Sequence, residues 1–78
     1  MSRPVEWVRH DSARAMKDSV PAREAQGWTY GGWARYFRSG RIMTATPSGK
    51  LKEDFHAGVT EPQAGWWVMW IGQEEDPS

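Results

Sequence analysis

Apolar and polar residues follow three different rhythms along the chain. From Pro4 to His10 they alternate weakly, with Val5 and Trp7 on one side of an extended segment and Glu6 and Val8 on the other, which predicts a first strand. From Asp11 the rhythm becomes helical. Asp11 or Ser12 can cap a helix N-terminus, and Ala13, Met16 and Val20 then recur at helical spacing. Pro21 disfavours helical backbone at Val20, so the helix is expected to end or kink there, with Pro21 to Gln26 as a second turn stopped by Gly27. The competing reading is one helix from Pro4 to Val20, with Pro4 in its first turn.

After Gly27, aromatic and β-branched residues bounded by glycine-containing turns predict a β-meander. Trp28-Thr29-Tyr30 meets Gly31-Gly32, which is either a tight hairpin turn or a bulge in one strand running through Trp33 to Phe37. Arg38-Ser39-Gly40-Arg41 turns the chain into Ile42 to Thr46, and Pro47-Ser48-Gly49-Lys50 turns it into Leu51 to Phe55. Both turns run Ser-Gly, a basic residue, then Ile or Leu, nine residues apart, as repeated hairpin chemistry requires. The phrase Pro47 to Glu53 resembles short MORN-type hairpin repeats over these two turns but lacks the aromatic and glycine pattern around them, so it assigns no family.

His56 to Ala64 reads as a loop, and Trp66 to Ile71 as a final strand without polar alternation. Such a strand suits a central place in the sheet, covered on both faces: Trp66, Val68 and Trp70 on one, Trp67, Met69 and Ile71 on the other. The helix is expected on one face, and sheet curvature or a partner on the other. Gly72 ends the strand, and residues 73–78 read as a mobile acidic tail. The expected fold is a small single α+β domain over residues 1–72. A short N-terminal helix would pack on a twisted antiparallel β-meander of three to five strands.

Composition sharpens this picture. At 78 residues the chain is near the size where burial of apolar surface barely outweighs the entropy of ordering it. No cysteine is present for disulfides, and two histidines lack the companions a structural zinc site needs. Six tryptophans must compensate. Each buried indole removes roughly 200 Å² from water, worth about 5 kcal/mol, against roughly 1.5 kcal/mol for ordering one residue. A homodimer covering any indole left exposed fits the same reasoning. No apolar run has signal-peptide or membrane-spanning length, and the absence of cysteine suits a reducing compartment, so a soluble, cytoplasmic protein is expected.

Charges cancel overall but are segregated. Residues 1–22 carry a net charge of about +1, residues 23–52 about +5 and residues 53–78 about −6. No catalytic set emerges from them. His10-Asp11-Ser12 has the residue types of a hydrolase triad, but adjacent side chains diverge, and capping explains Asp11 or Ser12 better. His56 beside Asp54 lacks a second converging group. Gly49-Lys50 has Thr44 where a phosphate-binding loop needs its first glycine and is followed by Leu51, while Gly31-Gly32 lacks a third glycine. The acidic residues fit no calcium-loop register. A non-enzyme without cofactor or metal is expected.

The remaining constellation is Trp28, Tyr30, Trp33, Tyr36 and Phe37 interleaved with Arg35, Arg38 and Arg41. Tyr30, Arg35, Tyr36, Arg38 and Arg41 are the expected partner contacts, with Trp7, Trp33, Trp66, Trp67 and Trp70 mainly structural. Tryptophan, tyrosine and arginine dominate protein hot spots, and this reading tolerates zero net charge. It makes the chain a stoichiometric inhibitor or adaptor of a protein partner, a class that at this size includes proteins phages make against host machinery. The alternative is single-stranded nucleic-acid binding, in which aromatics stack bases and arginines hold phosphates. The near-neutral pI and acidic end weigh against it. A third reading is a subunit that self-assembles through Trp66 to Ile71.

Overall fold

The computed structural model describes residues 3–73 and shows one helix packed on a five-stranded antiparallel sheet, a small α+β domain. Strand β1 (Val5–His10) leads into helix α1 (Ala13–Ala25), followed by β2 (Thr29–Tyr36), β3 (Arg41–Ala45), β4 (Leu51–Phe55), a single 3₁₀ turn (Glu61–Gln63) and β5 (Gly65–Ile71). The sheet order is β1-β5-β2-β3-β4. Both β1 and β2 pair antiparallel with β5 and are therefore parallel to each other. Helix α1 carries the chain from one to the other and leaves a gap one strand wide, which β5 fills at the end of the chain. The wholly apolar strand thus lies inside the sheet, as expected, but the helix covers only its Trp66, Val68 and Trp70 face.

Helix α1 starts where the sequence suggests, and the cap is Ser12: its hydroxyl accepts a hydrogen bond from the Ala15 amide at 3.1 Å. Asp11 instead pairs with Arg9 at 2.7 Å. Of the two outcomes expected at Val20, the stop is overturned, because α1 runs through Pro21 to Ala25, and it ends just before Gly27 as expected. Proline removes one amide donor, orphaning the Lys17 carbonyl, and Lys17 is exposed, so water can satisfy that group. Met16, buried, and Val20, packed against the core, hold the helix to the sheet on the near side of the proline. The alternative helix from Pro4 to Val20 is also overturned, since Val5 to His10 pair with Ile71 to Trp66 along their whole length.

Gly31-Gly32 is the bulge and not the hairpin turn. Tyr30 pairs with Trp70 but Trp33 with Val68, three residues of β2 spanning two of β5. Gly32 takes φ +104°, and a Cβ there would meet the Ala45 carbonyl oxygen at 2.1 Å. β4 has its expected limits, whereas β3 begins and ends one residue earlier than expected.

Val68 and Trp70 are almost fully buried beneath Met16, with Val8, Val20, Trp28, Tyr30, Trp33 and Trp66 packed around them. This core occupies the helix side of β1, β5 and β2. The β3–β4 hairpin extends beyond the helix, and every residue of β4 is exposed. Among the described residues no helix is long and apolar enough to cross a membrane. Glu74 to Ser78, most of the expected acidic tail, lie outside the described residues.

Candidate functional site

The sheet register sorts the expected contact residues onto different surfaces. In a regular strand Tyr30 and Tyr36 would share a face, six residues apart. The extra residue at the bulge reverses the alternation, so Tyr30, Trp33 and Arg35 lie on the helix side while Tyr36 lies on the opposite side. Tyr30 stands edge-on to Trp70, with ring centroids 6.0 Å apart, and burial raises its hydroxyl pKa above the ordinary 10.0. Tyr36 sits 6.1 Å from Trp67. Arg38, beyond the end of β2, pairs with Glu61, and Arg41 pairs with Glu53 at 2.6 Å. The five residues do not form one site.

Two surfaces remain. The first is the sheet face opposite the helix, where the register places Val5 and Trp7 of β1, Trp67, Met69 and Ile71 of β5, Tyr36 of β2 and Ile42 of β3. The twisted sheet curls about this face, so that Trp7 from one edge and Asp54 and Phe55 from the other line the same concavity of about 550 Å³. Trp67 forms its floor and is held by a hydrogen bond from its indole Nε1 to the Gln63 carbonyl at 2.8 Å. Trp7, expected to be structural, is 48% exposed here, because no element covers β1 on this side. Sequence reasoning did not anticipate this exposure. Its pairing with Val5 opposite Glu6 and Val8 was visible, but which side the helix would take was not.

The second surface is a cleft of about 430 Å³ at the Gly65 end of β5, with Arg9, Arg35 and Arg38 among its walls. Arg9 is engaged twice, with Nε donating to the Ala64 carbonyl at 2.7 Å and Nη1 to Asp11 at 2.7 Å. Arg35 lies 4.4 Å from the ring centre of Phe37 and 4.5 Å from that of Trp66, and has no hydrogen-bond or ion-pair partner among the described residues.

The hydrolytic residue types are engaged separately. His10 Nε2 lies 3.3 Å from Ser19 Oγ, but that hydroxyl donates to the Met16 carbonyl at 2.7 Å, so Ser19 accepts from the imidazole and ties β1 to α1. Asp54 Oδ1 accepts from the Phe55 amide at 2.7 Å. Among the described residues no group of three or more His, Asp or Glu is placed to hold a metal ion. No family model, curated protein or solved structure matches the chain.

Proposed function

We propose that the chain is a small non-enzymatic binding protein, an inhibitor or adaptor acting in the cytoplasm by stoichiometric contact with a protein partner, and that the uncovered sheet face makes the contact. The observation that carries this reading is the half-exposed Trp7 facing Trp67 and Tyr36 across the concavity. An antiparallel sheet with one solvated face ordinarily presents polar residues there, whereas this one presents Val5, Trp7, Met69, Ile71 and Ile42. Covering the exposed half of one indole contributes about 2 to 3 kcal/mol, and tryptophan and tyrosine in a concave setting are what interface hot spots are made of.

The occupant is an apolar side chain of a protein and not a stacked base. Asp54 in the wall would repel a phosphate backbone. Arg38 and Arg41, the cations a nucleic-acid surface would need, are engaged by Glu61 and Glu53. The two tyrosines that would stack successive bases lie on opposite sides of the sheet.

The test is affinity capture from host lysate with and without nuclease, comparing the wild type, Trp7→Ala and Lys17→Ala, whose change lies on exposed α1 surface. One stoichiometric protein should be retained by the wild type and Lys17→Ala and lost by Trp7→Ala, with the circular dichroism of all three alike. Equal retention by Trp7→Ala would refute the proposed face. Nuclease-sensitive retention would favour nucleic acid, and concentration-dependent mass of the isolated protein would favour self-assembly.

A further inference from the structure

We infer that the cleft at the Gly65 end of β5 is a carboxylate-recognition site centred on Arg35, taking an aspartate or glutamate side chain of a protein ligand. The inference rests on the reading of the chain as a protein binder, but concerns a different surface. Its starting point is how the described arginines are satisfied. Arg9, Arg14, Arg23, Arg38 and Arg41 each have a carboxylate within 4.0 Å, and Arg3 donates to the Gly72 carbonyl. Among the described residues Arg35 has only the two rings.

Stacking occupies the faces of a guanidinium and leaves its in-plane N–H groups free. Trp66 and Phe37 therefore hold Arg35 in a defined orientation without consuming its donors, which removes much of the ordering cost that a solvated arginine would incur on binding. Two parallel N–H groups held this way match the two oxygens of a carboxylate. The site is also partly sheltered, since Arg35 and Trp66 are both half-buried, so the pair is less screened than one on open surface.

Charge selects the ligand class. The cleft contains Arg9, Arg35 and Arg38 together with Asp11 and Glu61, which leaves one uncompensated positive charge. A single monoanion neutralises it. A phosphodiester backbone would bring several negative charges beside Asp11 and Glu61, and a phosphate dianion would overcompensate the site.

The experiment is an NMR titration of the ¹⁵N-labelled full chain with blocked glutamate (N-acetyl, α-amide), with blocked glutamine and inorganic phosphate as comparisons. Arg35 Nε–H and Trp66 Nε1–H are the reporters. Blocked glutamate should shift both saturably, blocked glutamine neither, and phosphate should bind more weakly than glutamate. Arg35→Lys, which keeps the charge but loses the flat paired donors, should weaken binding by about tenfold. Glu61→Gln, an exposed change that releases Arg38 into the cleft, should tighten it severalfold.

A non-saturating response to blocked glutamate, an unaltered affinity in folded Arg35→Lys, or tighter binding of phosphate would each overturn the assignment. If Arg35→Lys does not fold, Glu61→Gln decides: an affinity equal to the wild type sinks the idea. Trp7→Ala should leave the titration unchanged. The titration and the capture experiment can therefore fail independently.

Discussion

The guanidinium of Arg23 lies 4.3 Å from the centre of the Trp28 ring and joins the helix to the start of β2. The same side chain reaches to 5.9 Å from Trp70, and its Nη2 pairs with Glu6 of β1 at 3.0 Å. One residue of α1 thus reaches two strands and the residue that leads into a third. Its Nε is buried without a partner, so the side chain contributes mainly through its stem and its ring contacts. Arg23→Ala should destabilise the fold by about 2 kcal/mol, Arg23→Met by less than about 1, and Glu6→Gln by less than about 1 because that carboxylate is half exposed. Urea denaturation of the three variants measures this, and equal losses for Ala and Met would show that the charge outweighs the packing.

The bulge makes a second demand. A Cβ at Gly32 would sit 2.1 Å from backbone oxygen of Ala45 at a φ of +104°, whereas one at Gly49, φ +91°, would meet nothing within 4 Å. Gly49→Ala should cost about 1 kcal/mol, the strain of positive φ alone, and Gly32→Ala more than about 3 kcal/mol, because β2 and β3 must also separate. Thermal unfolding distinguishes the two, and similar losses would mean that the β2–β3 pairing yields easily.

Pro21 sits inside α1 with its ring exposed and one helical hydrogen bond missing. Pro21→Ala should raise stability by about 1 kcal/mol, since the restored bond and removed ring clash exceed the entropy alanine adds to the unfolded chain. A lowered Tm would show that the ring is needed for packing.

Alkaline pH should weaken the fold through Tyr30. Burial raises its folded pKa above the ordinary 10.0, so the native state holds that proton more tightly than the unfolded chain does. The contribution is fully present below pH 10.0 and is lost as pH rises through the folded value. Phenolate absorbance should therefore show Tyr30 ionising above 10.0, a step absent in Tyr30→Phe, whose stability should fall less at high pH than that of the wild type. A Tyr30 that ionises at 10.0 would mean its hydroxyl remains in water.

Much of the fold was legible because its strands carry local signals. Leu51 to Phe55 is bounded by a turn whose glycine has positive φ, and Trp66 to Ile71 has no polar alternation, which pointed to its place inside the sheet. Ser12 was one of two candidates for the cap, and geometry chose it. The stop at Gly27 was legible, whereas the possible stop at Val20 weighed proline's local preference without the packing of Met16 and Val20 against the sheet. The placement of the candidate contact residues depended on a different feature. A one-residue bulge at Gly31-Gly32 changes which face every later side chain of β2 occupies, and from the residues alone a turn and a bulge there are equally good.

By itself the sequence determined the kinds of element, most of their limits, the need for tryptophan in the core and the segregation of charge, because these depend on residues near one another in the chain. Only the tertiary structure decided which aromatics are core and which are surface, and which arginines are already engaged. Trp7 is exposed because the helix covers the other side of β1, and Arg38 is engaged because Glu61, 23 residues away, returns beside it. Arg35 is left to the rings of Phe37 and Trp66, the latter on a strand 31 positions along the chain and adjacent only after β5 enters the gap between β1 and β2. Such meetings depend on how distant segments pack, and no local preference encodes them.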